Sequence, residues 1–421
     1  MKNKNFSGYT VAIGLAIVIM CTQGALTTFG VFLPYIISSE GWSVAAVSFM
    51  ATCCNTVTFI MNTLMFKSIN KIGAKKTLLI GIFCCGLHYF IYGSSTSIFM
   101  LYLGACVGGV AMGFATNAML SFILTRWFVE KRNRIISLAM IPIGFGGTIF
   151  SFISGQAISL FNSWRTAYFV VGALVWILAI PIALIMVKES PASLGQLPLG
   201  ATAQVEDLAP KAKVRLKDMP EVKTTSFWLM WSGLFLCGFV GPGLAQHFTS
   251  ILRAGGVEAV SASNYLSLAK FFTAVGFLLL GMLSGKKTKT KVIVTLIVSA
   301  LVLSCISLFV IDGAPATGLV ALVWFSIVFY GIGQTAQHII STYTVMDAYG
   351  PQRYSTVYGV FQGAAMFAGA FGSLVLGAFK DLLGDYRLGL IIYAVIAVVG
   401  MILVYAATDM QKKRSVSASN E

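Results

Sequence analysis

Residues 188–223, KESPASLGQLPLGATAQVEDLAPKAKVRLKDMPEVK, form the one long polar stretch of this chain. Pro191, Pro198, Pro210 and Pro220 interrupt any regular element, and charges of both signs keep the stretch in water. It reads as a linker, and what flanks it decides the fold. Six apolar runs precede it, at about 9–36, 44–66, 77–95, 98–125, 135–161 and 166–187. Six follow, at about 226–250, 259–284, 291–311, 318–345, 355–379 and 388–408. A helix crosses the hydrocarbon core of a bilayer in ~20 apolar residues. The pattern therefore predicts an all-α membrane protein of twelve transmembrane helices in two pseudo-symmetric six-helix bundles. The bundles are expected over 1–187 and 224–408, with a tail over 409–421.

Composition agrees. The chain has 421 residues, 57% of them hydrophobic and 10% charged, and its mean hydropathy is +0.85. Soluble domains carry roughly 25% charged residues, so a water-soluble enzyme, a disordered chain and a collagen-like fibre are excluded. The first apolar run exceeds a signal-peptide core and is followed at once by another, so it is expected to stay in the mature protein. The net charge of +15 sits in short clusters between apolar runs, which favours contact with membrane lipids over nucleic acid.

The eight cysteines (Cys21, Cys53, Cys54, Cys84, Cys85, Cys106, Cys237 and Cys305) all lie within apolar runs, without zinc-ligand spacing. They read as packing residues. No P-loop, H-E-x-x-H or G-x-S-x-G occurs. The expectation is a monomer with no cofactor, no metal and no enzymatic activity.

Of the 29 Lys and Arg residues, Arg165, Arg253, Lys380 and Arg387 fall in outer segments if the N-terminus is inside, and Lys270 falls within a span. The rest lie in inner segments. The positive-inside bias thus places both termini and the linker in the cytoplasm, in a multi-pass protein of the cell inner membrane. The halves also echo each other. A shift of 222 residues lays Lys131 on Arg353, Gly147 on Gly369, Gly155 on Gly377, Trp164 on Tyr386 and Arg165 on Arg387. Six spans per half give both copies one orientation, the parallel repeat of a transporter architecture.

Several motifs carry a family resemblance. The loop Phe66-Lys-Ser-Ile-Asn70-Lys71-Ile-Gly73-Ala-Lys75-Lys76 is similar to the glycine/acid/basic loop signature of the major facilitator superfamily, with Phe66 for its glycine and Asn70 for its aspartate. The matching loop, Gly281-Met-Leu-Ser-Gly285-Lys286-Lys287, also lacks the acid. Arg126-Trp127-Phe128-Val129-Glu130-Lys131-Arg132, Gly144, Gly146 and Gly147, Ser163-Trp164-Arg165 and Glu189-Ser-Pro191 through Pro198 resemble the branch of bacterial oxalate/formate exchangers and monocarboxylate porters. Pro142-Ile-Gly144-Phe-Gly146-Gly147 departs from the pattern of the drug-exporting branches; the bland reading of these glycines is close helix packing. The resemblance implies small organic anions as substrates and a cavity lined by spans one, four, seven and ten. It further implies that basic residues on spans eight and eleven hold carboxylates. Here the interior of span eleven has no basic residue, which favours a monoanion over a doubly charged one.

Lys270, near the middle of span eight, stands out among the candidate site residues. A lysine at bilayer centre costs roughly 2.5–3.5 kcal/mol on insertion scales, and no Asp or Glu lies at mid-depth to pair with it. It reads as the countercharge of an anionic substrate, against a structural ion pair. His247 and His338 could bind an anion or carry a coupling proton, or simply bond a neighbouring helix. His247 follows Gly238-Phe-Val-Gly241-Pro242-Gly243, which is expected to loosen span seven. His88, between aromatic neighbours, reads as structural. Gln23, Asn117 and Gln334 are favoured over Asn55 and Gln362 as amides facing substrate, by the cavity-lining spans of the resembling family. Tyr330 could donate its hydroxyl to a carboxylate or merely pack.

The reading is a secondary transporter for a small organic anion, in particular a monocarboxylate, working by alternating access. A carrier of a larger amphipathic anion (a steroid or aromatic acid), a drug exporter and a non-transporting membrane receptor remain open as alternatives. The mode of coupling stays open too. Exchange needs no proton site, whereas symport would require one.

Overall fold

A computed structural model describes residues 7–129, 132–200, 219–284, 290–312 and 320–419. Fifteen helices account for almost all of them: α1 (Gly8–Leu26), α2 (Phe29–Glu40), α3 (Val44–Ile72), α4 (Ala74–Gly93), α5 (Ile98–Phe114), α6 (Asn117–Trp127), α7 (Arg132–Met140), α8 (Pro142–Phe161), α9 (Trp164–Met186), α10 (Thr225–Ala254), α11 (Ala259–Ser284), α12 (Thr290–Ile311), α13 (Val320–Gly333), α14 (Ala336–Leu383) and α15 (Arg387–Ser419). No strand occurs among the described residues; Phe128 and Leu199 form an isolated bridge. Eleven helical stretches are long and apolar enough to cross a bilayer, and Val320–Gly333 is a shorter apolar one. The chain is a multi-pass, all-α membrane protein. Half of the linker, 201–218, and residues 285–287 of the loop 281–287 lie outside the described residues.

The described chain gathers into two compact units, Met1–Phe32 with Thr56–Lys211, and Leu33–Asn55 with Ala212–Glu421. The first turns of span two thus group with the second unit, a division the expected boundaries do not contain.

Three runs expected as continuous spans are broken. Span one divides at Thr27-Thr28, span four at Ala115-Thr116 and span ten at Gln334-Thr335. Each break follows a glycine-containing turn and carries a threonine that satisfies backbone groups the broken ladder frees. Thr27 Oγ1 donates to the Gly24 carbonyl at 2.8 Å, and Thr335 Oγ1 to the Ile332 carbonyl at 2.7 Å. Thr116 acts at the other side of its break: its Oγ1 accepts the Met119 N–H at 3.1 Å as the N-cap of α6. Span five also starts afresh at Pro142, which occupies the first turn of α8, where a missing N–H is harmless.

Span seven behaves differently from expectation. Gly-Pro-Gly at 241–243 does not interrupt α10, which runs unbroken past Pro242. Its glycines serve contact instead. A Cβ on Gly238 would strike the Ala365 backbone, and one on Gly243 the Tyr393 ring. The first unit packs likewise: Gly24 and Gly146 face each other so closely that neither admits a Cβ, the small-residue packing of membrane helices. The connection from span ten to span eleven is no loop; α14 passes through it with a kink at Gly350, φ 69°.

The ends of spans five and eleven match the sequence repeat. Asn162 (φ 47°) and Gly384 (φ 81°), 222 positions apart, both close their helices in the left-handed region. The loop after span two contains a substitute for its absent acid. Glu189 Oε1 accepts the Lys75 N–H at 2.9 Å, so a carboxylate from the linker entrance caps the N-terminus of α4, where negative charge is favoured.

Candidate functional site

Lys270 is near the middle of α11. Ser263, Leu266, Ser267 and Ala274, which share its side of the helix, are buried, while Phe271, Leu278 and Leu279 on the other side are exposed. Lys270 therefore points inward, yet it is only half-buried. Its side of the helix is turned to the packed interior of the second unit rather than to lipid. The ion pairs Lys291–Asp409, Arg353–Glu221 and Lys412–Asp347 lie near helix ends or, in α14, near the Gly350 kink. Lys270 has no ion-pair partner among the described residues. A cation in this position can accept an anion without first breaking a protein contact.

Two of the candidate amides lie at helix breaks. In the first unit, Gln23 on α1 donates through Nε2 to the Ala115 carbonyl at 2.6 Å, closing the gap between α5 and α6. In the second, Gln334 donates through Nε2 to the Gly241 carbonyl at 2.9 Å, joining the break in span ten to the Gly-Pro-Gly of span seven. Both are half-buried, so each holds its break and still has surface to offer. Asn117, the first residue of α6, has a buried Oδ1 with no hydrogen-bond partner among the described residues. Tyr330 is buried against Phe248, ring centroids 4.4 Å apart, and its hydroxyl likewise has no hydrogen-bond partner among the described residues.

His247 is fully buried and both ring nitrogens are engaged. Nε2 lies 2.9 Å from the Ser373 carbonyl. A carbonyl only accepts, so Nε2 carries the proton and Nδ1 accepts from the Tyr386 hydroxyl at 3.3 Å. Ser48 Oγ and Ser373 Oγ also approach Nε2 at 3.3 Å. This ring is the centre of a closed network joining spans two, seven and eleven, and it has no nitrogen left for a substrate. His88 bonds the Cys85 carbonyl and packs on Tyr89 and Tyr92. Gln362 accepts from Ser341 and Tyr358, and Asn55 is half-buried in α3. The side chain of His338 lies outside the described residues.

Sequence reasoning passed over Asp381, Ser48 and Thr52. Asp381 Oδ1 and Oδ2 accept the Val44 and Ala45 N–H groups at 2.9 and 2.7 Å, and Thr52 Oγ1 donates to the Ala370 carbonyl at 2.5 Å. An acid just before the left-handed Gly384 was the available signal.

With this geometry in view, the comparisons are consistent. The family model described as Major Facilitator Superfamily matches residues 15–373. An Escherichia coli protein called "Uncharacterized MFS-type transporter YhjX" is 24% identical over 283 residues, 64% of this chain and 64% of that protein, so the match spans less than two thirds of the relative. Monocarboxylate transporter 4 of Gallus gallus is 23% identical, over 91% of this chain and 79% of its own. Among solved structures, a bacterial homologue of the human lysosomal transporter Spinster superposes with a TM-score of 0.76 at 15% identity, covering 98% of each chain. That likeness concerns the fold.

Proposed function

This chain belongs to the Major Facilitator Superfamily, and from that premise we propose that it carries a small monocarboxylate across the cell membrane by alternating access, with Lys270 as the countercharge. The observation that carries the reading is the inward, half-buried and unpaired Lys270. A single fixed cation balances a single negative charge, and the described part of span eleven supplies no second one at mid-depth. The similarity to Monocarboxylate transporter 4 of Gallus gallus supports the same substrate class. Gln334, Gln23, Asn117 and Tyr330 supply neutral hydrogen-bonding groups around the path, and membrane lipids cover the outward apolar faces. We place both termini and the 188–223 linker on the cytoplasmic side, a reading supported by the distribution of basic residues.

The mode that needs fewest parts is exchange, because each anion neutralises Lys270 in one direction and no proton site is called for. His247, sealed by its partners, supports that preference. The test is a melting-temperature screen of the purified protein against short monocarboxylates, dicarboxylates and aromatic acids. A ligand that binds only the folded state stabilises it by about 2.7 kcal/mol at a hundredfold excess over Kd. Stabilisation by monocarboxylates above the other two classes is the expected result. Stabilisation confined to dicarboxylates or bulky acids would reassign the substrate.

A further inference from the structure

Spans nine and twelve leave a groove between them on the outer face of the second unit. Val298, Ser299, Val302 and Leu303 of α12 and Val398 and Met401 of α15 line about 350 Å³ of space. Ser299 and Val398 are exposed and Val302, Leu303 and Met401 half-buried, so the groove opens to the bilayer.

The sequence of the two helices builds it. Lys291, Thr295, Val298 and Val302 recur every three to four residues along α12, and Val398, Met401, Tyr405 and Asp409 do so along α15. Each set therefore forms one stripe. The stripes meet antiparallel. At one end Lys291 Nζ lies 2.7 Å from Asp409 Oδ2. Next, the Tyr405 hydroxyl donates to the Lys291 carbonyl at 2.6 Å and lies 2.6 Å from Thr295 Oγ1. The apolar groove follows. Leu303 lies roughly 18 Å from Lys291 along the helix, close to the ~15 Å of hydrocarbon in one leaflet.

The first unit fills the matching place with its own side chain. In the 222-residue register of the repeat, Trp176 of span six corresponds to Val398. Its ring stacks on Phe83 and Phe90, with centroids 5.3 and 4.8 Å away, and its Nε1 donates to the Phe83 carbonyl at 3.0 Å. Valine at 398 leaves open what tryptophan closes at 176.

Charge indicates the occupant. Lys286, Lys287, Lys289 and Lys291 lead into α12, and Lys412, Lys413 and Arg414 follow Asp409 in α15. Asp409 is the one acid in the stretches 285–291 and 405–414. The Lys291 side chain is 43% exposed, and its ammonium has three donors, of which Asp409 takes one.

We propose that the groove binds an anionic glycerophospholipid of the inner leaflet, with one acyl chain along Val298, Val302 and Val398 and the phosphate against Lys291 and the basic residues around it. The choice of leaflet rests on the orientation proposed above; the site depends on neither the substrate nor the mode of transport. The chain gains apolar contact, and the cations select for negative charge. A lipid without net charge gains the first alone.

The probe is phosphatidylglycerol with a photoactivatable diazirine in mid-chain, added to the full-length protein in detergent, and adducts are mapped by peptide mass spectrometry. They should concentrate on 298–303 and 398–401. Unlabelled phosphatidylglycerol should displace the probe at least about fivefold more effectively than phosphatidylcholine with the same chains, the worth of about one basic residue. Val398→Trp, which copies the first unit, should remove the groove adducts. Lys291→Gln/Asp409→Asn keeps the net charge of the pair and removes the ammonium; it should leave the adducts in place and cut the advantage of phosphatidylglycerol severalfold. Adducts spread evenly over exposed residues elsewhere, such as Phe99, Leu160 and Ile185, overturn the site, as does equal displacement by the two lipids. Disulfide-linked dimers of Ser299→Cys in membranes, absent from the wild type, overturn it too and give the groove to a second copy of the chain. Should Val398→Trp fail to fold, displacement from the wild-type protein decides.

Discussion

Spans four and ten both break near the middle of their apolar runs, and the two units mend the breaks in opposite senses. In the first unit the amide is on span one, and the break supplies the carbonyl: Gln23 to Ala115. In the second the amide is at the break, and span seven supplies the carbonyl: Gln334 to Gly241. The partner of the first break is itself a broken span, while the partner of the second is the unbroken α10. Charge separates them further. The described interior of the first unit offers Gln23 and Asn117 but no lysine comparable to Lys270. Duplicated architecture has kept the joint and given the charge to one copy. On the proposed function, the neutral copy shapes the path and the charged copy selects for an anion.

The largest expected effect tests that division of labour. Lys270→Gln keeps the length and polarity of the side chain and removes its charge. A charge-assisted hydrogen bond is worth about 1.5–3 kcal/mol, so monocarboxylate affinity should fall roughly ten- to hundredfold, read by titration calorimetry. Lys270→Arg should restore part of it, since a planar fork presents the same charge in another shape. Wild-type affinity in the Gln variant would remove the asymmetry altogether.

Next come the two amides. Gln23→Leu leaves the Ala115 carbonyl at its break, and Gln334→Leu the Gly241 carbonyl of span seven, without its side-chain donor, a loss of about 1–3 kcal/mol where the group stays dry. Both should lower the melting temperature in detergent. Both should also weaken anion binding, Gln334→Leu severalfold and Gln23→Leu less, because the joint of Gln334 is in the charged unit. Equal effects on binding would mean that the two halves contribute alike.

The smallest effect is expected at Asn117. Its buried Oδ1 has no described partner to lose, so Asn117→Leu should leave the melting temperature unchanged or slightly raised. Binding should fall by the worth of one neutral hydrogen bond, roughly two- to tenfold. A drop in stability as large as that of Gln23→Leu would make Asn117 a structural amide instead.

The sequence reading held where composition and periodicity carry the information. Runs of about twenty apolar residues define helices and class, because the bilayer penalises every alternative. Lys270 was legible for the same reason: a lysine inside an apolar run is expensive, so its presence demands an explanation. The breaks were hidden, because Gly24 to Thr28, Gly113 to Asn117 and Gly331 to Thr335 are apolar enough to pass as continuous span. Their threonines conceal the cost of stopping by bonding locally. Pro242 misled in the opposite sense: α10 continues through it, with neighbouring spans packed on Gly238 and Gly243. The seat of Asp381 on span two was invisible for a third reason. Asp381 and Val44 are far apart in sequence, and nothing in either stretch announces a carboxylate seated on two N–H groups.

The central claim, one cation exchanged between one anion and the next, is tested most directly in proteoliposomes. Labelled monocarboxylate is presented outside, with unlabelled monocarboxylate, dicarboxylate or neither inside, and each case is run with and without an inward pH gradient. Internal monocarboxylate should accelerate uptake strongly, internal dicarboxylate should not, and the gradient should add little. Accumulation driven by the gradient alone, and lost when His247 and His338 are both replaced, would contradict the account and make those histidines a proton relay.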